Sequence, residues 1–435
     1  MSAAIQTTNS SGIPPGYNQT RAPSFNTLGA NDRIAIAIVG VGWCWGQSHF
    51  AGIVKNSKED NVIVAAVCDV FETRRSQARK AADLKEADVY RDYRKLLERK
   101  DIDAVLVATH DPLHAQITLD SLDAGKHVYC ERPLARYLGE AFQVFDKVKS
   151  SGKVFQLGEQ RCSAGAWLKC AELIAAGRIG TLVSGQAAYC RNGGPGCDGC
   201  WVISEESTPA TIDWEKWLGP VKRRPFSARH YHQWRMYYDY SAGLLACQAP
   251  YCLHPMMLAL GQPEFPVRVN CLSAQQLRNA VFKPQPGMKQ VPAHVQVMAE
   301  FPAGYGISLT CSWLNGATPS SVIYGHKATL RLGAVGDRVE VMPEKEFARE
   351  VEAETFTGLP PYEVREHERD WFRCIRSGKP PNANIDLAIR AQTVLSLAEM
   401  SDRLKVTCLF DEKTRKVSDA AGKEITPISY GTAET

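Results

Sequence analysis

The sequence predicts two domains of different class: an α/β domain on a doubly wound parallel sheet, then an α+β domain on an open, mostly antiparallel sheet. Up to about residue 158, short β-branched apolar runs alternate with helical patterns, which is typical of strands buried on both faces. After about residue 180, strands follow one another through short turns. We therefore assign residues 33–158 to the first domain and residues 159–415 to the second.

Composition and charge indicate an ordinary globular chain. It has 435 residues, of which 44% are hydrophobic and 23% are charged, enough to bury a large core. The formal net charge of +4 is too small to indicate a nucleic acid partner, and no apolar run approaches the roughly 18 residues of a membrane span. We therefore expect a small-molecule substrate, with neither nucleic acid nor membrane as a partner.

The two ends of the chain are expected to be tails. Residues 1–32 are rich in Ser, Thr, Asn, Gly and Pro, so they are predicted to be a flexible tail or an arm that docks on a partner subunit. They contain no apolar segment typical of an export signal, which predicts a cytoplasmic protein. The 14 cysteines are then expected to be free thiols. Residues 416–435 are predicted to be a C-terminal tail.

The parallel sheet is predicted from five short apolar runs with helical patterns between them. Ligands of such sheets bind beyond the carboxyl ends of the strands. The runs are IAIAIVG (34–40), VIVAAVCD (62–69), AVLVAT (104–109), HVYCE (127–131) and VFQLG (154–158).

The loop after the first strand has the features of a dinucleotide site. Gly40 and Gly42 match the first two glycines of the fingerprint, which allow a tight turn and close approach of the backbone to a pyrophosphate. Trp45 stands at the third position and a glycine, Gly46, comes one residue late. Trp43 lies in the same loop and is also a candidate cofactor contact.

The second strand ends at a carboxylate, Asp69. A carboxylate at this place accepts the ribose hydroxyls and repels a 2′-phosphate, which favours NAD. Arg74 and Arg75 follow closely, so NADP is not excluded.

Several motifs recur in order and at matching spacings, and together they resemble one family. Their residues are Gly40-Val41-Gly42, Cys68-Asp69-Val70, Ala108-Thr109 with His114, Glu131-Arg132-Pro133, the stretch 211–220, Trp234-Arg235 and Asp239-Tyr240-Ser241. From about residue 33 to about residue 415, the chain resembles the glucose–fructose oxidoreductase/inositol dehydrogenase (Gfo/Idh/MocA) family of NAD(P)-dependent oxidoreductases.

The resemblance implies a Rossmann domain followed by a sheet that faces the cofactor and often joins subunits. It implies a homodimer or homotetramer, and it implies that the helices near 364–405 pack back toward the first domain. It also implies that Thr109, His114, Glu131 and Arg132 lie at the cofactor.

The segment GLLACQAPYCLHPMMLAL (243–260) is predicted to be one helix. Cys247, Tyr251 and His254 are spaced to share one face of it. The resemblance implies that this helix presents an Asp and, four residues later, a His or Tyr to the nicotinamide. Cys247 and Tyr251 stand at those two positions.

Arg132 replaces the lysine that the resemblance leads us to expect in a Glu-Lys-Pro motif. An arginine stays protonated, so it can orient a substrate oxygen but cannot accept its proton. We expect Tyr251 to transfer the proton, with its pKa lowered by the Arg132 charge. His254, or His230 and His232, are candidates to relay that proton.

The candidate substrate contacts are Cys247, His230, His232 and Arg235.

The leading hypothesis is an NAD-dependent oxidoreductase acting on a secondary alcohol of a sugar, sugar acid or cyclitol. The first alternative is a glycosidase that recycles tightly bound NAD through transient oxidation and elimination, as some relatives without the lysine do. The second is a sensor that binds NAD without catalysis.

A cluster of cysteines raises the question of a metal. Cys190, Cys197 and Cys200 lie in a glycine-rich stretch, and His230 is a possible fourth ligand. The spacing within the stretch is one ligand short, so free thiols are favoured over zinc and no metal is assigned.

Overall fold

The computed structural model describes residues 32–42, 45–192, 202–261, 263–275, 281, 290–333 and 336–432. Trp43, Cys197, Cys200 and the predicted N-terminal tail up to residue 31 lie outside the described residues. None of the described helices has both the length and the apolar character needed to cross a membrane.

The first domain is built on a six-stranded parallel sheet with the order β3-β2-β1-β4-β5-β6. Five of its strands match the five predicted runs. β3 gave no pattern because it has only two residues, both half-buried. The strands are β1 Ile34–Val39, β2 Val62–Cys68, β3 Val89–Tyr90, β4 Ala104–Val107, β5 His127–Glu131 and β6 Phe155–Gly158.

Helices cover both faces of this sheet. On one face, α1 packs with the later helix α11, and Trp371 and Phe372 of α11 belong to the same apolar core as Ile36 and Ile38 of β1. The helices in chain order are α1 Trp45–Asp60, α2 Glu72–Ala81, α3 Tyr93–Leu97, α4 Asp111–Asp123, α5 Leu138–Ser151, α6 Gly165–Ala175, α7 Trp214–Leu218, α8 Ala228–His232, α9 Leu244–Cys247, α10 Pro250–Ala259, α11 Val364–Ser377 and α12 Ile385–Leu404.

The second domain is built on an eleven-stranded sheet with the order β14-β13-β12-β11-β7-β10-β9-β8-β15-β16-β17. It is mostly antiparallel, as predicted, and β7 and β10 form a parallel pair. The strands are β7 Leu182–Cys190, β8 Arg268–Ser273, β9 His294–Glu300, β10 Gly306–Ser312, β11 Val322–Gly325, β12 Ala328–Leu332, β13 Val339–Pro343, β14 Glu354–Phe356, β15 Cys408–Asp411, β16 Lys416–Ser418 and β17 Glu424–Ile425.

Two sequence predictions differ from this architecture. The predicted helix 243–260 is broken into α9 and α10, because Pro250 has no N–H to continue the helix and instead begins a new one. The predicted tail 416–435 contributes β16 and β17 to the sheet, since Val417 is fully buried and pairs with Ile425.

Candidate active site

A cavity of about 560 Å³ lies between the carboxyl edge of the parallel sheet and residues 215–235 of the second domain. Ligands of doubly wound sheets bind at this edge. The first domain contributes Gly40, Gly42, Asp69, Thr109, Glu131 and Arg132, and the second contributes Trp217, Tyr231, His232, Trp234 and Arg235.

The segment that closes the cavity is attached to the loop after β2. Ile212 forms an isolated antiparallel bridge with Phe71, and the Asp213 N–H donates to the Val70 carbonyl at 3.1 Å. The Arg91 side chain forms an ion pair with Asp213 at 2.8 Å. The second domain is therefore fixed over the β2 end of the cavity.

Two glycines of the loop after β1 stand where a side chain would not fit. Gly40 has φ +90°, and a Cβ there would lie 2.6 Å from the Ala108 carbonyl oxygen. A Cβ on Gly46 would overlap the Gly40 carbonyl oxygen. Gly46, although one residue late, therefore allows the close helix–strand packing expected of the third fingerprint glycine.

The Asp69 carboxylate supports the same loop. Its two oxygens accept the N–H groups of Val41 and Phe71 at 3.0 and 2.9 Å. A carboxylate has further lone pairs, so Asp69 can still accept ribose hydroxyls from the cavity that it lines. Arg74 also lines the cavity, lies against Gly42 and donates to the Tyr231 hydroxyl at 2.8 Å.

Arg132 is held on three sides. Its Nη1 lies 3.1 Å from Glu131 Oε2, its Nε lies 3.3 Å from Glu159 Oε2, and its Cζ lies 3.8 Å from the centre of the Tyr251 ring. Burial alone would lower the pKa of Arg132, but Tyr251 and the two carboxyl groups raise it above its usual value. Arg132 is therefore a permanent cation on the cavity wall.

The arginine belongs to a buried series of alternating charges. His49 of α1 bonds Glu131 at 3.0 Å through Nε2 and Glu368 of α11 at 2.6 Å through Nδ1. Burial would lower the pKa of His49, but the two glutamates raise it to about 9. The sequence gives no local sign of this contact, because His49 and Glu368 are 319 residues apart.

The expectation of a lowered pKa for Tyr251 is wrong. Burial raises the pKa of the Tyr251 phenol and outweighs the opposing charge of Arg132, while Glu159 and Glu131 raise it further. The ring stacks on Tyr189 at 5.4 Å and packs 4.9 Å from the Arg161 guanidinium. Tyr251 is thus a protonated phenol at neutral pH, in contact with Arg132.

Glu159 is a further charged residue that could not be identified from the sequence; it pairs with Arg132 from behind and does not itself line the cavity. It follows β6 directly, beside Glu131 at the end of the neighbouring strand, and is fully buried. Neither of its oxygens has a hydrogen-bond partner among the described residues. Burial raises its pKa to about 7, against the opposing charges of Arg132 and Arg161. Its place at a strand end was the one available signal.

Two of the predicted relay histidines do not line the cavity. His254 is buried in α10, with Nδ1 3.2 Å from the Pro250 carbonyl oxygen. His230 packs 4.9 Å from the Tyr237 ring. His232 does line the cavity, and its Nε2 lies 2.7 Å from the Ser207 hydroxyl. Burial lowers the pKa of each of these histidines to about 4, so all three are neutral.

His114 lies beneath the cavity rather than in its wall. Its nitrogens face the carbonyl oxygens of Pro133 at 2.7 Å and Thr109 at 3.1 Å, so both must donate and the ring is an imidazolium. Burial would lower the pKa of His114, but Cys130, Asp111 and the Pro133 carbonyl raise it to about 10. His114 ties the loop after β4 to the loop after β5.

Cys247, a predicted substrate contact, is a neutral thiol that does not line the cavity. Cys247 is half-buried, and burial raises its pKa to about 11. The metal question falls partly on Cys197 and Cys200, which are not described. Within the part of the chain that the structure describes, no group of three or more His, Cys, Asp or Glu side chains is placed to hold a metal ion.

Comparison with known proteins gives matches to two models of one family. Residues 34–159 match the oxidoreductase family, NAD-binding Rossmann fold, and residues 197–286 match the oxidoreductase family, C-terminal alpha/beta domain. The inositol 2-dehydrogenase of Salmonella typhimurium (strain LT2) is 31% identical over 144 residues, which are 33% of this chain and 42% of that protein. The chain thus matches less than half the length of this relative.

A shorter match and two solved structures complete the comparison. The alpha-N-acetylgalactosaminidase of Shewanella oneidensis is 34% identical over 97 residues, 22% of this chain and 21% of that protein. Levoglucosan dehydrogenase in complex with NADH and levoglucosan has a TM-score of 0.65 at 18% identity, covering 86% of this chain and 98% of that chain. Aldose-aldose oxidoreductase from Caulobacter crescentus has a TM-score of 0.66 at 16% identity, covering 87% and 100%. At these identities the structures show a shared fold.

Proposed function

The chain belongs to the Gfo/Idh/MocA oxidoreductase family, and on that premise we propose that it is an NAD-dependent enzyme oxidising or reducing a secondary alcohol of a sugar, sugar acid or cyclitol. The observation that supports this most strongly is a single cavity with the glycine loop at one part of its wall and the buried cation Arg132 at another. The inositol and levoglucosan dehydrogenases among its relatives support the same substrate class.

Four residues would hold the dinucleotide. Gly40 and Gly42 admit a pyrophosphate, Asp69 accepts ribose hydroxyls, and Thr109 lines the cavity beyond them. Bound NAD would supply the hydride acceptor. The acceptor oxygens of Asp69 favour NAD over NADP. Arg74 beside the loop is a cation that would pair with the 2′-phosphate of NADP, so NADP remains an alternative.

Arg132 would orient the substrate oxygen and stabilise negative charge on it. Because Glu131, Glu159 and the Tyr251 ring fix its guanidinium, the cation needs little reorganisation when charge develops. Tyr251 supports this cation with its ring face and, as a protonated phenol, is a hydrogen-bond donor rather than a base.

In oxidation, the alcohol carbon gives up a hydride, its oxygen gives up a proton, and a carbonyl forms. We assign the released proton to Glu159, which pairs with the cavity residue Arg132 from behind and whose pKa of about 7 lets it change protonation state at physiological pH. In reduction the same carboxylic acid returns the proton. Neither Arg132 nor Tyr251 can accept a proton in this range, since the pKa of each is raised.

The direct test is to measure the dinucleotide carried by the purified protein, by ultraviolet spectrum and mass, and then to add sugars, sugar acids and inositols. We expect bound or added NAD to be reduced by one of these alcohols. The matched control is Arg132→Met with its far-ultraviolet circular dichroism recorded. Equal reduction by this variant and the wild type would remove Arg132 from the mechanism, and a failure to bind any dinucleotide would overturn the proposal as a whole.

Two observations favour a second function: the arginine in place of lysine and the partial match to an alpha-N-acetylgalactosaminidase. In this alternative, NAD would stay bound while the substrate is oxidised, loses its leaving group by elimination, takes up water and is reduced again. Cleavage of aryl glycosides without net formation of NADH would select it over the dehydrogenase.

A further inference from the structure

Arg235 differs from every other arginine of the cavity wall. Its guanidinium lies 4.1 Å above the Trp234 ring, and within the described part of the chain it makes no hydrogen bond or ion pair. Each of the other five contacts an acid or a hydroxyl: Arg74 with Tyr231, Arg91 with Asp213, Arg94 with Asp92, Arg132 with Glu131 and Arg223 with Glu215.

The groups that face Arg235 do not neutralise it. Its charge acts on His110, Asp111 and Cys247. Burial lowers the pKa of His110 and raises that of the Cys247 thiol to about 11, so both are neutral at physiological pH. Burial also raises the pKa of Asp111, and Asp111 forms no ion pair with the arginine. A half-buried guanidinium in such surroundings is a strong attractor for an anion.

The position of Arg235 indicates which anion. Trp234, over which Arg235 lies, packs 5.9 Å from the His110 ring in the loop after β4, and Arg132 follows the neighbouring strand β5. The two cations therefore line neighbouring parts of the cavity wall. Arg132 is the group assigned to the reacting oxygen, whereas the glycine loop that admits the pyrophosphate is formed by Gly40 and Gly42. The anion near Arg235 is therefore expected to belong to the substrate rather than to the cofactor.

We propose that Arg235 binds a carboxylate of the substrate, which makes the substrate a sugar acid rather than a neutral sugar or cyclitol. The Trp234 ring packs against one face of the Arg235 guanidinium. The edge of the guanidinium can therefore form two parallel N–H···O bonds with a carboxylate. This inference rests on the proposed function of the same cavity and narrows its substrate class.

The test is isothermal titration of the intact protein with D-glucuronate and D-gluconate, with D-glucose and myo-inositol as neutral partners, each with and without NAD. We expect at least one acid to bind about tenfold or more tightly than its neutral partner, as a charge-assisted pair implies. Arg235→Met should lose that difference while keeping the affinity for D-glucose. Arg235→Lys should keep only part of it, because a lysine cannot form the bidentate pair.

Control measurements separate the possible failures. Arg223→Met removes a cavity arginine that is already paired with Glu215, so it should leave the affinity for the acids unchanged. If Arg235→Met weakens NAD and spares the acids, Arg235 is a pyrophosphate ligand and the proposal is overturned. If wild-type protein binds NAD but neither acid better than its neutral partner, the sugar-acid inference fails while the oxidoreductase proposal stands. If it binds no NAD at all, the oxidoreductase proposal itself fails.

Discussion

The two sides of the cavity differ in how their polar groups are used. On the side of the glycine loop, the Asp69 oxygens hold backbone N–H groups and Arg74 holds a hydroxyl. On the side where the substrate is expected, Arg235 has no polar partner among the described residues, and Glu159, behind Arg132, has an ion pair with that arginine but no hydrogen-bond partner for its oxygens there.

This difference separates two kinds of task. Buried polar groups are nearly always hydrogen-bonded in folded proteins, so groups without partners need a reason. Asp69 supports the loop after β1 through the two N–H groups that its carboxylate accepts. Glu159 can gain or lose a proton near neutrality, and the charge of Arg235 is open to a ligand. The comparison predicts that changes on the loop side act on stability and cofactor affinity, while changes on the other side act on rate, pH dependence and selectivity.

The largest expected effect is on the rate. Arg132→Met removes the cation assigned to the reacting oxygen, so kcat/KM should fall by about a thousandfold. Steady-state kinetics on the alcohol identified by the substrate panel measure this. A loss of NAD affinity of similar size would show that Arg132 acts on the cofactor instead, which would break the division between the two sides.

The next effect is on stability as a function of pH. Glu159 has a pKa raised from 4.5 to about 7, so the folded state binds its proton more tightly and stability falls as pH rises through this range. At ~1.4 kcal/mol for each unit, ionising Glu159 costs about 3 kcal/mol above pH 7. Glu159→Gln should therefore be more stable than the wild type at about pH 8.5 by up to this amount, with no such gain at about pH 4.

Urea unfolding at the two pH values measures this difference. The same variant should also lose the inflection near neutrality in the pH profile of kcat/KM. A profile with an unchanged inflection would assign the proton to a different group.

The loop side offers a smaller effect with a matched control. Gly46→Ala places a Cβ against the backbone oxygen of Gly40 and should cost about 1–3 kcal/mol of stability, along with NAD affinity. Gly42→Ala places a Cβ against the end of the flexible Arg74 side chain, which can move, so it should cost less. Thermal unfolding of both variants, with NAD titrations, would show equal costs if the Gly46 contact were unimportant.

The smallest effect is expected for Tyr251→Phe. The phenol is protonated and the ring contact with Arg132 remains in the variant, so kcat should fall less than about tenfold. In Tyr251→Leu, which lacks the aromatic face, kcat should fall further. A loss of a thousandfold or more in the phenylalanine variant would restore the phenol as the proton-transfer group.

The sequence was sufficient for the parts of the molecule that depend on local patterns. The parallel sheet and the loop at Gly40 and Gly42 were predicted from runs of neighbouring residues. Strand β3 was not predicted, because its two residues are too few to show an alternating pattern. The sequence shows that Gly46 comes one residue later than the third glycine of the fingerprint. Only the structure shows that Gly46 packs against the Gly40 carbonyl oxygen, as that third glycine is expected to do.

The candidate active site depends more on contacts between residues that are distant in the sequence, and fewer of these contacts could be predicted. Pro250 breaks the segment that holds Cys247 and Tyr251, although its apolar pattern favours one helix. The pKa of Tyr251 was expected to fall because the charge of Arg132 was visible in the motif and the burial of the ring was not. Contacts such as His49 with Glu368 connect opposite ends of the chain and leave no local trace.

The contact between His49 and Glu368 also has a consequence for the folding of the first domain. Helix α11, which begins at Val364, supplies the carboxylate that pairs with the buried His49 of α1. It also supplies Trp371, which belongs to the same apolar core as β1. A nascent chain released after the parallel sheet would expose this apolar face and leave an imidazolium with one of its two carboxylates. The nucleotide-binding half is therefore expected to aggregate when expressed without residues 364–404, and to become soluble when that segment is supplied on the same polypeptide.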